Sequence, residues 1–246
     1  MKKFNVFNAI RYYQKLLSTQ NVVKELAKKN VKEGIVVVAE KQINGYGRIG
    51  RIWHSNIGGL WFSILLKPQL YHYEAHKFGL LMAIALNTIF EKYKVISQIK
   101  WPNDILVLKK KIAGIITETS IQKKKINWIV MGVGININNN LKKSISNIAI
   151  SLKTVLGRKI DKNIFLLLLL MQFECFYANF IKNGFEQFVK KYNNKIAYKN
   201  EFVKITVGDN VVLSGVNLGI DKNGKLIIKT LKGIKKIAFG TLRTIK

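Results

Sequence analysis

Lys100-Trp101-Pro102-Asn103-Asp104, followed by Lys111-Ile112-Ala113-Gly114-Ile115-Ile116, is the stretch around which the chain can be read. Proline fixes its own φ and keeps the residue before it extended. Trp101-Pro102 therefore opens a turn flanked by Ile99-Lys100 on one side and the apolar run 105–108 on the other. Asn103 and Asp104 beside the proline can cap, accept hydrogen bonds or hold a cation. Lys111 stands at the mouth of an apolar strand, three residues before Gly114, where it sets a fixed cation over a ligand carboxylate or phosphate. Taken singly, these segments also suit an ordinary turn and the end of the solvated run Lys109-Lys110-Lys111.

Upstream lies Gly45-Tyr46-Gly47-Arg48-Ile49-Gly50-Arg51, with Trp53 close behind. Its glycines permit positive φ and let backbone N–H groups approach a ligand. The chain has 37 Lys but only 5 Arg, and two of those five fall in this loop. Where arginine is so scarce, a retained planar guanidinium points to geometric demand, and phosphate is its natural target. The glycines open a loop before a strand, unlike a Rossmann turn, and no Gly-Lys-Ser/Thr ends it as in a Walker loop. Downstream, Gly132-Val133-Gly134-Ile135-Asn136 permits close backbone approach at 132 and 134, and Asn136 can read a base edge.

The remaining pattern predicts helices over residues 20–29, 75–92, 164–180 and 185–192. Strands are predicted over 34–40, 60–66, 112–119 and 128–137, with a glycine-rich loop at 41–59 and a polar loop from Asn138. After about residue 198 the texture changes to short alternating segments at 202–207, 210–216, 225–229 and 235–239. Turn signals separate them at Gly208-Asp209 and Asp221-Lys222-Asn223-Gly224. This predicts a larger domain over 1–198 and a small β-barrel or meander over 199–246.

Composition sets the outer bounds. The 246 residues carry a formal charge of +29, and 48% are hydrophobic, enough for a core and against disorder. The 37 Lys, 34 Ile and 23 Asn all have AT-rich codons, and the lysines are scattered, so most of the charge reads as compositional drift and solvated surface. The single cysteine, Cys175, excludes an internal disulfide framework and a cysteine-rich zinc site; no metal site is expected, and a cytoplasmic location is. Met1-Lys2-Lys3 is not followed by a signal-peptide core. The longest apolar run, 164–171, is far short of the roughly 20 residues that span a bilayer and reads as helix core, so no membrane role is expected.

The order and spacing of Ser18-Thr19, GYGRIGR with Trp53, KWPND, KIAGI and GVGININ resemble the biotin–protein ligases over essentially the whole chain. The resemblance implies an α+β fold: a mixed sheet with helices like a class II aminoacyl-tRNA synthetase catalytic domain, plus a small C-terminal SH3-like β-barrel. It implies a biotin–[acetyl-CoA-carboxylase] ligase that joins biotin to a lysine of the biotin carboxyl carrier protein through biotinyl-5′-AMP. ATP and Mg²⁺ serve as co-substrate and activator. Ser18, Thr19, Gln20, Gln42, Gly45, Tyr46, Gly47, Lys111 and Gly114 would bind biotin. Arg48, Arg51, Trp53, Asn103, Asp104 and Asn136 would hold the nucleotide, with Lys111 and Arg48 catalytic.

The chain departs from the family pattern at two places. Tyr46 stands where the family usually has the first arginine of GRGRxGR, and Gln20 where it usually has Asn. Ser18-Thr19 comes almost at once, so a monofunctional ligase without the N-terminal winged-helix repressor domain, acting as monomer or homodimer without specific DNA binding, is expected. Two alternatives compete: a lipoate–protein ligase or octanoyltransferase of the same fold, and a basic nucleic-acid-binding protein. The second is poorly served, since only Phe202 and Phe239 are aromatic after residue 200.

Overall fold

The computed structural model describes residues 6–207 and 211–244. Strand β2 (Ile35–Gln42) shows why the main sheet forms where it does. Its first five residues, IVVVA, are β-branched or small and all buried, so the strand needs cover on both faces. Val36 and Val38 face a large core with β3 (Leu60–Leu66) and the helices α2 (Ala75–Lys92) and α4 (Lys162–Asn183). Ile35 and Val37 face a smaller core closed by Val23 and Ala27 of α1 (Thr19–Lys28).

The sheet has seven strands in the order β1-β2-β3-β7-β6-β5-β4. The new members are β1 (Ala9–Leu16), β4 (Gln98–Lys100), β5 (Asp104–Val107), β6 (Lys110–Gln122) and β7 (Lys125–Ile135). β1 runs parallel to β2, and every other neighbour is antiparallel, so the sheet is mixed. Helix α3 (Leu152–Leu156) starts at Ser151, whose side chain caps Thr154 N, and α5 (Glu186–Asn193) leads to the C-terminal sheet. By length and composition α4 is apolar enough to cross a membrane. In this fold it buries Phe165, Leu166, Leu169, Leu170, Phe173, Tyr177 and Phe180 in the protein core.

The C-terminal segment is antiparallel: β8 (Phe202–Val207), β9 (Val211–Ile220), β10 (Leu226–Thr230), β11 (Gly233–Ile237) and β12 (Thr241–Thr244), in the order β11-β10-β9-β8-β12. It shares one core with the main sheet through Val203, Ile205, Leu226 and Leu242. Two asparagines rivet the junction. Fully buried Asn217 donates to the carbonyls of Ala197 and Tyr198, and Asn193 exchanges two hydrogen bonds with the backbone of Ile220.

The α+β class and the mixed sheet are as expected. Three details differ. β1 and β12 have no signal in the residue pattern, and the strand before the glycine loop runs on to Gln42, shortening a loop expected from residue 41. β6 and β7 extend into a long hairpin that turns at Lys123-Lys124, both at positive φ. The C-terminal part falls within the expectation, an antiparallel meander whose last strand returns to pair with its first. Met1-Lys2-Lys3 and the turn expected at Gly208-Asp209 lie outside the described residues.

Candidate active site

A cavity of about 340 Å³ opens where the first turn of α1, the end of β2, the glycine loop and the Trp101-Pro102 turn converge on β3, β6 and β7. Residues of β12 complete its rim.

One end is neutral and closely hydrogen-bonded. Ser18 is the N-cap of α1, accepting from Gln20 N, which turns Thr19 and Gln20 inward. Gln42 Oε1 accepts from Thr19 N at 2.8 Å and lies 3.1 Å from Thr19 Oγ1, while Gln42 Nε2 donates to Ser55 Oγ at 2.8 Å. Ser63 Oγ donates to Gln20 Oε1 at 3.0 Å and sits 2.8 Å from Thr19 Oγ1. Gln20 Nε2 donates to Val130 O at 2.9 Å. The single Thr19 hydroxyl proton has two acceptors before it, Gln42 and Ser63. Glycine at 132 is required by this packing, because a Cβ there would lie 2.6 Å from Gln20 Oε1.

The other end is cationic. Lys111 Nζ is 2.7 Å from Asp104 Oδ1 and 4.8 Å from the centre of the Trp53 ring. A cation over an indole face is attracted by the ring quadrupole. That indole lies against Gly114 and Gly134, where a Cβ at 134 would stand 2.3 Å from its Nε1, and its edge meets Trp61 at 6.3 Å. Trp53 Nε1 is buried without a hydrogen-bond partner among the described residues. Arg48 donates through Nη1 to Asn103 Oδ1 at 3.0 Å and through Nη2 to the Gly240 carbonyl at 2.8 Å. Burial lowers the Arg48 guanidinium, against the pull of Asp104. It also lowers the Lys100 ammonium, with Asp104 opposing and Lys111, Arg243 and Arg51 adding repulsion. Asp104 is the single carboxylate among the described residues lining the cavity.

The glycine loop joins the two ends as a small folded-back hairpin. Gly47 N donates to Arg51 O at 2.7 Å and Trp53 N to Gly45 O at 2.8 Å. At its apex Ile49, highly exposed, sits at φ 56, a left-handed conformation costly for a β-branched side chain.

Nearly all the residues expected at the site from sequence line this one cavity. Gly45 instead lies beneath the lining, where a Cβ would stand 2.4 Å from Ser55 Oγ. Asn103 faces the cavity with both amide atoms engaged, since its Nδ2 donates to Ile115 O. Asn136 is buried and accepts from Asn139. Sequence reasoning missed Ser63, Lys100 and His54 in the lining, Ser55 behind it on Gln42, and every contribution from the C-terminal segment: the Gly240 carbonyl, Thr241 and Leu242. For Ser63 a signal existed, a lone hydroxyl within the otherwise apolar strand LWFSILL.

The family model described as "Biotin/lipoate A/B protein ligase family" matches residues 12–136, and the one described as "Biotin protein ligase C terminal domain" matches 200–241. The chain is 36% identical over 238 residues to the bifunctional ligase/repressor BirA of Bacillus subtilis, covering 92% of this chain and 71% of that protein. It is 27% identical to the biotin–[acetyl-CoA-carboxylase] ligase of Paracoccus denitrificans, covering 78% of this chain and 83% of the relative. The biotin protein ligase from Aquifex aeolicus solved in complex with biotin and ATP superposes with a TM-score of 0.81 at 31% identity, covering 97% of this chain and all of that one.

Proposed function

The chain belongs to the biotin/lipoate A/B protein ligase family, and from that premise we propose how its cavity performs ATP-dependent biotin ligation. The observation that carries the reading is Lys111: an ammonium at the cationic end, fixed between Asp104, the single carboxylate among the described lining residues, and an indole face. In the first step an oxygen of the biotin carboxylate bonds to the α-phosphorus of ATP and pyrophosphate leaves. The obstacle is bringing one anion to another, so fixed cations must neutralise charge as it develops. Lys111 has two N–H donors beyond the one turned to Asp104, enough to bridge the carboxylate and an α-phosphate oxygen. Arg48, Arg51 and Lys100 balance the phosphates, and Trp53 packs beside the nucleotide.

The neutral end suits the ureido ring of biotin, which offers one carbonyl acceptor and two N–H donors to the hydroxyls and amides of Thr19, Gln20, Gln42 and Ser63. In the second step the amine of a carrier lysine attacks the acyl carbon, and AMP departs with the bonding pair. The carrier is proposed to be the biotin carboxyl carrier protein of acetyl-CoA carboxylase, met in the cytoplasm. A Mg²⁺ ion would neutralise phosphate charge. Asp104 alone offers it a protein carboxylate, and no cluster of three His, Cys, Asp or Glu side chains exists among the described residues, so the site fits an ion delivered on the nucleotide.

The test mixes the protein with ATP, Mg²⁺, biotin and a carrier domain and follows biotin transfer and pyrophosphate release. Wild type is expected to biotinylate the carrier. Lys111→Ala is expected to lose about a thousandfold in rate, the weight of a transition-state charge contact. Full transfer by Lys111→Ala would overturn the role of Lys111. Calorimetric titration with lipoate beside biotin separates the rival cofactor, and binding of lipoate alone would overturn the reading.

A further inference from the structure

Tyr46 is the point at which the glycine loop touches the rest of the protein on the side away from Arg48. Its hydroxyl lies 2.8 Å from Glu118 Oε1 on β6 and 3.0 Å from Lys24 Nζ on α1. Lys24 Nζ in turn is 2.7 Å from Glu118 Oε2. Asn21 Oδ1, one helical turn before Lys24, stands 3.2 Å from the same hydroxyl. A phenol has one proton to give, and the shorter approach assigns it to the Glu118 carboxylate, while Lys24 donates to the phenol oxygen. The three groups form a closed ring of charge-assisted hydrogen bonds. The Lys24 ammonium also lies 5.6 Å from the Tyr46 ring centre.

A Lys–Glu pair open to solvent is worth little, with a median near 0–1 kcal/mol, and this one is only partly covered. What distinguishes this one is the tyrosine inserted into it, which ties a loop to two rigid elements. Its position is equally specific. Glu118 pairs across β6/β7 with Val130, and the Val130 carbonyl is the acceptor of Gln20 Nε2 on the cavity floor. Beyond Tyr46 and Arg48, the loop from Ile49 to Ile52 is exposed and reaches no such partner. The loop is therefore pinned at two places: by Arg48 toward Asn103 and the C-terminal sheet, and by Tyr46 toward α1 and β6. The Tyr46 hydroxyl is raised by burial and by Glu118 against the opposing effect of Lys24. The Lys24 ammonium is raised by Glu118 and Tyr46 despite burial that lowers it, as expected for a mutually stabilised ring.

We propose that Tyr46, Lys24 and Glu118 form a clasp that holds the glycine loop over the ring-binding end of the cavity, with Tyr46 a positioning residue that sets biotin affinity and the residence time of the activated acyl-adenylate. The proposal rests on the ligase reading above. It differs from a phosphate role for the first variable position of the loop, because the Tyr46 hydroxyl is spent on protein groups. A family arginine at this position would meet Glu118 and be repelled by Lys24.

The experiment measures the KM for biotin, kcat, and the rate at which biotinyl-adenylate escapes from the protein in the absence of carrier. Tyr46→Phe keeps the ring and removes only the hydroxyl. It is expected to raise the biotin KM and the adenylate escape rate about tenfold, the weight of one hydrogen bond to a charged acceptor, with kcat changing less than about twofold. Glu118→Gln keeps an acceptor for the phenol but loses the ion pair, and is expected to fall between wild type and Tyr46→Phe. Tyr46→Arg combined with Lys24→Ala should restore retention, because the guanidinium then meets Glu118 without a competing cation. A biotin KM and escape rate in Tyr46→Phe equal to wild type would overturn the clasp. So would failure of the double variant to retain adenylate better than Lys24→Ala alone. Wild-type protein that forms no biotinyl-adenylate would instead overturn the ligase reading, so the two failures are distinguishable.

Discussion

At one end of the cavity Thr19, Gln20, Gln42, Ser55 and Ser63 satisfy one another. At the other, Lys100, Lys111 and Arg48 share Asp104, the single carboxylate among the described lining residues, with Arg51 adding to the repulsion. The first group is neutral and, apart from half-buried Gln42, buried, and it exists as a network before any ligand arrives. Such a network discriminates well, because a ligand lacking the matching donors would leave buried polar groups unpaired. The second group is an unbalanced cluster of cations whose repulsion anions relieve. It attracts charge in general and selects by position. On the ligase reading proposed above, the floor would select which acid is activated and the opposite wall would supply charge for its chemistry.

Three measurements test that division. Gly132→Ala drives a Cβ to within 2.6 Å of Gln20 Oε1, and Gln20 is pinned by Ser63 and Val130 and cannot yield cheaply. The biotin KM is expected to rise about a hundredfold as that amide loses its partners, with the ATP KM within about twofold in steady-state assays. A comparable rise in both would mean that the ends are one unit. Next, Arg48→Ala releases Asn103 and the Gly240 carbonyl. The ATP KM should rise about tenfold and the biotin KM less than about threefold, the weight of one charged hydrogen-bonding contact. The smallest effect is salt. Raising ionic strength from about 0.05 to 0.3 M should weaken ATP binding about threefold and biotin binding less than twofold by calorimetry, because screening acts on exposed charge.

The strongly patterned elements were legible from residues alone. β2 and β3 are runs of buried apolar residues, and α2 and α4 carry helical periodicity. β1 was not, because its AIRYYQKL is largely exposed and shows no alternation; its pairing with β2 alone makes it a strand. The tight turns at Leu108-Lys109 and Lys123-Lys124 take positive φ without Gly, Asn or Asp, so turn chemistry gave no warning. Within the site, the resemblance carried by the motifs implied that Lys111, Arg48 and Trp53 share one site, and all three line the one cavity. The partners of those residues were illegible. Arg48 meets a backbone carbonyl 192 residues away, and a carbonyl has no letter in the sequence.

That last contact has a consequence for how the molecule can change over time. Arg48 itself is held by the Gly240 main chain, so side chains of the C-terminal sheet other than the rim residues Thr241 and Leu242 and those in the shared core can change without altering that hydrogen bond. The freedom has one fixed point. Gly240 sits at φ +154, and a Cβ there would stand 2.9 Å from the Thr206 carbonyl. A lineage could rewrite much of the terminal sheet, exchanging its solvent face or its length, and keep a working ligase while this glycine and its seat on β8 survive. Change at that position would be felt 192 residues away in sequence, at Arg48 of the glycine loop.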